Sequence, residues 1–123
     1  MGVISFTGWP PATNSIWRQS GGHIYLTPKA ERFRAAIRQL VILARRDGDL
    51  PEEPFEGPLA VSIELVPPDR RKRDIDNTLK AGLDALTHAG VWLDDSQVKD
   101  LHLTMAAEPV KGGHVTISIR EIV

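Results

Sequence analysis

The 123-residue sequence contains no cysteine. Disulfide bonds and thiolate metal sites are therefore excluded, which agrees with a reducing cytoplasm. No apolar run approaches the roughly 20 residues that a membrane-spanning helix requires, and the N-terminus has no basic segment followed by a long apolar one. We therefore expect a cytoplasmic protein with no signal peptide and no membrane partner.

Other absences narrow the chemistry. The net charge is only −1 and the pI is about 6.4, so the protein as a whole has no basic field that attracts nucleic acid. The four histidines do not pair at the spacing of a zinc-binding helix, which disfavours zinc chemistry. The two Gly-Gly pairs, at 21–22 and 112–113, lack the other residues of a phosphate-binding loop. Any phosphate-binding site must therefore depend on a local cluster of charge.

Hydrophobic residues make up 41% of the chain, which is enough to bury a core, so we predict a single domain spanning residues 1–123. The first of two predicted helices begins after Thr27, a good N-cap that precedes Pro28, and it ends near Gly48. The second runs from about residue 77 to residue 89. The residues that we expect these helices to bury are Phe33, Ala36, Ile37, Leu40, Val41, Ala44, Leu79, Leu83 and Leu86.

Alternation of apolar and polar residues predicts four strands and a small hairpin. The strands lie at 3–6, 59–65, 98–105 and 115–120, and the hairpin joins 16–18 to 23–26. We expect the last two strands to pair as a hairpin as well. The predicted fold class is therefore α+β (mixed α/β), with two main helices packed on a mixed sheet of about four strands plus a small N-terminal hairpin. The sequence does not determine the order of the strands.

One stretch combines two kinds of charge. Four consecutive cations run into two carboxylates, a lysine follows, and a second acidic pair comes later. These residues are Arg70, Arg71, Lys72, Arg73, Asp74, Asp76, Lys80, Asp94 and Asp95. Cations attract the phosphates of nucleic acid, whereas carboxylates repel phosphate unless a divalent metal ion lies between them. The combination is typical of a metal-dependent phosphodiesterase.

Simpler explanations exist for the carboxylates and the lysine. In an extended segment, Asp74 and Asp76 would point to one side and Ile75 to the core, but Asp76 also stands where the N-cap of the second helix is expected. Lys80 could merely form an i, i+4 ion pair with Asp76. If the carboxylates converge, a set of oxygen ligands favours Mg²⁺ or Mn²⁺ over zinc.

Further arginines are candidates for contact with DNA. Arg18 lies on the predicted hairpin and could reach a partner, although a surface hairpin without a role explains it equally well. The first helix carries arginines off its apolar stripe, which are explained either as a solvated face or as contacts with a nucleic-acid backbone. They are Arg32, Arg34, Arg38, Arg45 and Arg46.

The charged stretch and the blocks around it resemble the RusA family of Holliday junction resolvases, found in bacteria, phages and prophages. The matching blocks are WPP at 9–11 with Asn14, PDRRKRDIDN at 68–77, KA at 80–81, LDALT at 83–87, AGVWLDDSQV at 89–98 and KGG at 111–113. The resemblance implies a RusA-like fold. It also implies a Mg²⁺-dependent, homodimeric endonuclease, with Mn²⁺ as a substitute, that resolves four-way DNA junctions by paired symmetric nicks in recombination and repair.

The resemblance also implies roles for individual residues. The three essential aspartates, both catalytic and metal-binding, fall on Asp74, Asp76 and Asp95, and the essential lysine falls on Lys80, while Asp94 is a weaker candidate. The family's basic residues before the first aspartate fall on the cationic run at 70–73. To these we add one cation of the predicted hairpin and one of the KGG block, which completes the predicted DNA-binding set. Its members are Arg70, Arg71, Lys72, Arg73, Lys111 and Arg18. We expect the three aspartates to converge in one pocket beside these cations.

Two other functions fit the same residues. One is a less selective metal-dependent nuclease acting on flaps or other branched DNA, because the choice of a junction would depend on dimer geometry and loops. The other is a non-catalytic DNA-binding protein that uses only the cationic run. The presence of all three aspartates and of Lys80 argues against this second function. Resolution of a junction needs two symmetric cuts, so the first interpretation predicts a two-fold homodimer.

Overall fold

The computed structural model describes residues 2–122, which form six strands and two α-helices joined by loops and short 3-10 turns. In chain order these are β1 (Gly2–Thr7), β2 (Trp17–Ser20), β3 (His23–Leu26), α1 (Pro28–Arg46), β4 (Leu59–Val66), α2 (Leu79–His88), β5 (Val98–Met105) and β6 (His114–Glu121). A four-stranded sheet has the order β1-β6-β4-β5, and β2 and β3 form a separate hairpin. This confirms the predicted mixed α/β fold. Neither helix is long and apolar enough to cross a membrane.

The predicted hairpin between the last two strands is wrong. β4 lies between them, parallel to β5 and antiparallel to β6. Alternating apolar residues are compatible with either arrangement, whereas burial favours the observed one, because β4 is buried over most of its length and therefore takes a central position. The connection at 106–113 passes the end of β4, where the amide of Val110 donates a hydrogen bond to the carbonyl of Pro67 (2.9 Å).

The core lies on one face of the four-stranded sheet, beneath the two helices. In one row of the sheet, Ile4, Ile117, Ile63 and Leu103 stand side by side across the four strands. Buried residues of the helices and connecting segments pack against this face. They include Ile37, Val41, Ala44, Ala85, Leu86, Val91 and Trp92. The long connection between β4 and β5 is thus fixed to the core through α2.

α1 begins as the sequence predicts. The hydroxyl of Thr27 accepts a hydrogen bond from the amide of Ala30 (3.2 Å), and Pro28 occupies the first turn. Gly48 has a positive φ of 82° just beyond the helix, as expected of a residue that ends one. The predicted apolar stripe is buried or half-buried except for Ala36, which lies at its edge and is exposed.

α2 begins two residues later than predicted, at Leu79, because a 3-10 turn (Ile75–Thr78) precedes it. The predicted capping role of Asp76 is therefore wrong, since Thr78 occupies the N-cap position of α2. Ile75, expected in the core, is 42% exposed. The turn replaces the extended conformation on which that expectation depended.

Candidate active site

The candidate catalytic residues lie in one connection of the fold. β4 and β5 are parallel, so residues 67–97 must cross from the end of one strand to the start of the next. This crossover contains the cationic run, the three candidate aspartates and all of α2. The turn Ile75–Thr78 packs against α2 and β5, and a second turn, Asp95–Gln97, packs against α2. The crossover therefore places both acidic segments against the same helix.

Within the cationic run, Arg73 points inward. Its side chain is only 18% exposed and donates a hydrogen bond to Asp69 (2.7 Å), and its guanidinium carbon lies 5.3 Å from the ring centre of Trp9. The hydrogen bonds that Asp69 accepts from the Arg73 side chain and the Arg71 amide lower the pKa of Asp69 to about 2. Arg73 therefore maintains the shape of the loop.

The other three cations of the run face outward. Arg70 pairs with Glu108 (2.6 Å), and both side chains are largely exposed. The side chain of Arg71 is 84% exposed, and Lys72 is exposed as well. Because exposed ion pairs are weak, all three cations remain available to an external anion.

The two outlying cations of the predicted DNA-binding set are held differently. Lys111 is exposed on the connection between β5 and β6, which is bonded to Pro67 and so lies at the same end of the molecule as the cationic run. The guanidinium of Arg18 donates a hydrogen bond to the carbonyl of Asn14 (2.9 Å). Arg18 is therefore partly engaged by the short turn (Thr13–Ser15) that precedes its hairpin.

Asp74 and Asp76 are exposed just before α2. Asp74 is extended (φ −80°, ψ 132°) at the N-cap position of the 3-10 turn, but its side chain caps no amide. The N-terminal segment anchors this turn, because the hydroxyl of Thr13 donates to the carbonyl of Asn77 (3.0 Å). Within residues 2–122, neither aspartate carboxylate forms a salt bridge, so the oxygens of both are open to an external cation.

Two side chains hold the turn that carries Asp95. Asp94 accepts a hydrogen bond from the amide of Ser96 (3.1 Å), and Oε1 of Gln97 accepts one from the amide of Asp94 (2.9 Å), forming a capping box. Nε2 of Gln97 also donates to two carbonyls of the loop at 55–57 (both 2.9 Å). The hydrogen bond from the Ser96 amide lowers the pKa of Asp94. Asp94 therefore shapes the turn, and Asp95 extends from it half-buried.

Lys80 stands at the start of α2 with its side chain 57% exposed. It pairs with Asp84 (3.0 Å), so the alternative ion pair with Asp76 is wrong. The hydrogen bond and charge of Asp84 raise the pKa of Lys80, the charge of Asp95 adds to this rise, and that of Arg34 opposes it. Lys80 is therefore a permanent cation near neutral pH, suited to neutralising negative charge and not to accepting a proton.

Lys80 and Asp95 line the same open cleft, of about 470 Å³, and Trp17 and Arg34 line it from the hairpin and from α1. Asp74 lines a separate cleft. In the described part of the chain, no three acidic or histidine side chains form a group that could hold a metal ion. The structure therefore does not gather the three predicted metal ligands into one preformed pocket, and their assignment stays a prediction.

The carboxylates fit a hard divalent cation in kind. Their oxygens are the ligands that Mg²⁺ and Mn²⁺ prefer, and the exposed Asp74 and Asp76 have no competing cationic partner among residues 2–122. Mg²⁺ keeps several waters and is commonly bound by one or two carboxylates together with phosphate oxygens of the substrate. The protein therefore does not need three carboxylates gathered around the ion before the DNA binds.

Sequence reasoning left three residues of this region without a role. Gln97 follows Asp94 at capping-box spacing, and Asp84 follows Lys80 at the i, i+4 spacing of a helical ion pair, so local signals for both were present. Trp17 has no such signal. It reaches the cleft only because the hairpin folds against α1, which is a property of the packing.

The chain is similar to known proteins along most of its length, as its motifs predict. The family model described as "Endodeoxyribonuclease RusA" matches residues 8–120. The crossover junction endodeoxyribonuclease RusA of Escherichia coli (strain K12) is 37% identical over 115 residues, which cover 93% of this chain and 90% of the relative. The protein of that name from Enterobacteria phage 82 is 36% identical with the same coverage. The chain belongs to the RusA family of endodeoxyribonucleases.

Proposed function

We propose that this chain is a Mg²⁺-dependent endonuclease that resolves four-way DNA junctions by paired symmetric nicks, as a homodimer, in recombination and repair, with Mn²⁺ as a substitute. The names of its relatives, crossover junction endodeoxyribonucleases, support this substrate. The observation that carries the proposal is that, in the described structure, the candidate aspartates form no ion pairs with the cations next to them in the sequence. Asp74, Asp76 and Asp95 form no salt bridge within residues 2–122, although four cations directly precede the first of them.

Three of these cations, Arg70, Arg71 and Arg73, pair instead with two other carboxylates, those of Asp69 and Glu108. The oxygens of the three candidate aspartates are therefore not engaged by these cations and are open to an external cation. In the proposed enzyme Asp74, Asp76 and Asp95 would hold the metal ion together with phosphate oxygens of the substrate, and the ion would polarise the phosphate and lower the pKa of a bound water. The protein itself supplies the position of the carboxylates through the two 3-10 turns that flank α2.

Lys80 supplies a fixed positive charge beside Asp95. Asp84 holds the ammonium group at 3.0 Å and keeps it protonated. An ammonium group next to the scissile phosphate stabilises the charge that develops on the phosphoryl oxygens. This role needs a permanent cation, which agrees with the raised pKa of Lys80.

Arg71 and Lys72, exposed and at most weakly paired, are the proposed contacts to neighbouring phosphates. Such contacts provide affinity and salt dependence and do not distinguish bases. Two symmetric cuts require two sites related by a two-fold axis, which a homodimer provides. Light scattering tests the assembly directly, because a solution mass equal to the 13.6 kDa of one chain would contradict the homodimer.

A junction-cleavage assay with Asp76→Asn tests the proposed chemistry. The substitution removes a negative charge and preserves the size of the side chain, so we expect binding of a four-way junction to persist and Mg²⁺-dependent cutting to be lost. Asp47→Asn, at an exposed aspartate beyond the C-terminal end of α1, is the matched control and should cut like the parental protein. Nicking by Asp76→Asn at the parental rate would contradict the metal assignment.

The substrate is tested by comparing cleavage of a four-way junction, a flap and a plain duplex of equal length, each with and without Mg²⁺. We expect the junction to be cut fastest and all cutting to require the metal ion. Equal rates on the flap and the junction would replace the proposal with a general branched-DNA nuclease. Binding without any metal-dependent cutting would replace it with a DNA-binding protein.

A further inference from the structure

An exposed tryptophan forms part of the candidate active-site cleft. Trp17 and Arg34 line this cleft together with Lys80 and Asp95. Trp17 is 48% exposed and does not belong to the hydrophobic core. Burial of an indole strongly favours folding or binding, so an indole left exposed beside a charged cleft marks a surface that a ligand can cover.

The position of Trp17 is fixed by the residues next to it. The preceding residue, Ile16, is 2% exposed and packs with Ala30 of α1 and Ala81 of α2. The carbonyl of Ile16 accepts a hydrogen bond from the amide of Thr27 (2.9 Å), which closes the base of the β2–β3 hairpin. The indole therefore extends from a rigid base and does not sit at a freely moving tip.

Arg34 provides the electrostatic partner of this indole. Its guanidinium carbon lies 5.7 Å from the centre of the Trp17 ring, within the range of a cation–π interaction. Arg34 comes from α1 and Lys80 from α2, so two helices each place a cation on the cleft. An aromatic surface in a cleft that two cations also line complements a nucleotide unit, which joins a flat base to a negative phosphate.

A base inside a duplex cannot stack on an indole, because the neighbouring base pairs cover both of its faces. At a branch point this continuous stacking is interrupted. We propose that Trp17 stacks on a nucleobase exposed at the branch point, next to the phosphate that is cut, and that Arg34 binds an adjacent phosphate. The inference rests on the proposed function and makes Trp17 a positioning residue that favours branched DNA over duplex.

The test uses the full chain and a four-way junction with 2-aminopurine, a fluorescent adenine analogue, at the branch point, in EDTA to prevent cutting. Stacking of the analogue on Trp17 changes its fluorescence. Trp17→Leu should abolish this change and weaken junction binding by about 5- to 150-fold, as for the loss of one base–aromatic stack. Trp17→Phe should preserve most of both. Tyr25→Leu is the control, because Tyr25 is 45% exposed on the same hairpin and does not line the cleft.

Three outcomes separate this inference from the proposed function. If the parental protein does not nick the unlabelled junction with Mg²⁺, the proposed function fails and the inference fails with it. If the parental protein nicks but Trp17→Leu binds within twofold of it with unchanged fluorescence, only the stacking role is overturned. A junction with an abasic site at the same position needs no variant: it should reduce parental binding to the level of Trp17→Leu, and unchanged parental binding overturns the inference.

Discussion

The substitution Gln97→Ala tests how the turn that carries Asp95 is held in place. Oε1 accepts hydrogen bonds from the amides of Leu93 and Asp94 (2.8 and 2.9 Å), and Nε2 donates to two carbonyls of the loop at 55–57 (both 2.9 Å). Each such bond contributes about 0.5–1.5 kcal/mol net, and water can replace part of this contribution because the side chain is only half-buried. We therefore expect Gln97→Ala to lower the free energy of unfolding by about 2 kcal/mol.

For a chain of this length, such a loss lowers the melting temperature by roughly 6–10 °C, which circular dichroism or calorimetry measures. At temperatures below the melting transition, Gln97→Ala should also cut the junction more slowly than the parental protein. The reason is that Asp95 directly follows Asp94, whose backbone amide Gln97 holds. Gln39→Ala, at an exposed position of α1, is the control and should melt within about 2 °C of the parental protein. A melting curve of Gln97→Ala that overlaps that of the control would refute the reasoning.

Further substitutions and a pH titration test other parts of the molecule. Neutralising Arg71 and Lys72 together should reduce the slope of log affinity against log salt by roughly 2, since each phosphate contact contributes about 0.9. An unchanged slope would contradict their role. Gly113→Ala should destabilise the protein by roughly 1–3 kcal/mol, because Gly113 has a φ of 74° and a Cβ there would lie 2.7 Å from a backbone oxygen. Gly82→Ala, where a Cβ on α2 meets nothing within 4 Å, should instead stabilise it by about 0.5–1 kcal/mol. Denaturant titrations measure both changes, and a stabilised Gly113→Ala or a destabilised Gly82→Ala would contradict the corresponding prediction. The pKa of Asp69, lowered from 3.8 to about 2, means that this carboxylate contributes stability that is complete above about pH 4 and lost as the pH falls through about 2. If the NMR resonance of the Asp69 carboxyl group titrates near pH 4, the paired arginines do not stabilise its charged form.

The parts of the fold that could be predicted are those that neighbouring residues determine. Thr27 and Pro28 mark the start of α1 because a cap and a fixed φ act within one turn. Gly21 and Gly22 mark the β2–β3 turn, since both adopt positive φ angles of 58° and 79°. Such signals do not depend on the rest of the chain, and the structure confirms them.

The parts that could not be predicted depend on residues far apart in the chain. The 3-10 turn before α2 is held by a hydrogen bond between Thr13 and Asn77, which are 64 residues apart. The inward direction of Arg73 likewise depends on Trp9. The order of the strands depends on which strand becomes the most buried. The motif therefore identifies candidate residues by type, whereas their partners and directions follow from packing.

The place of β5 at the edge of the sheet has a consequence for activity. Among the described residues β5 pairs only with β4. Asp95 lies three residues before the start of β5, whereas Lys80 belongs to a helix fixed to the core. Local opening that releases this edge strand together with the adjoining turn Asp95–Gln97 would withdraw Asp95 and leave Lys80 in place. Because partial openings of this kind need less free energy than global unfolding, heating should inactivate the enzyme before the helices melt.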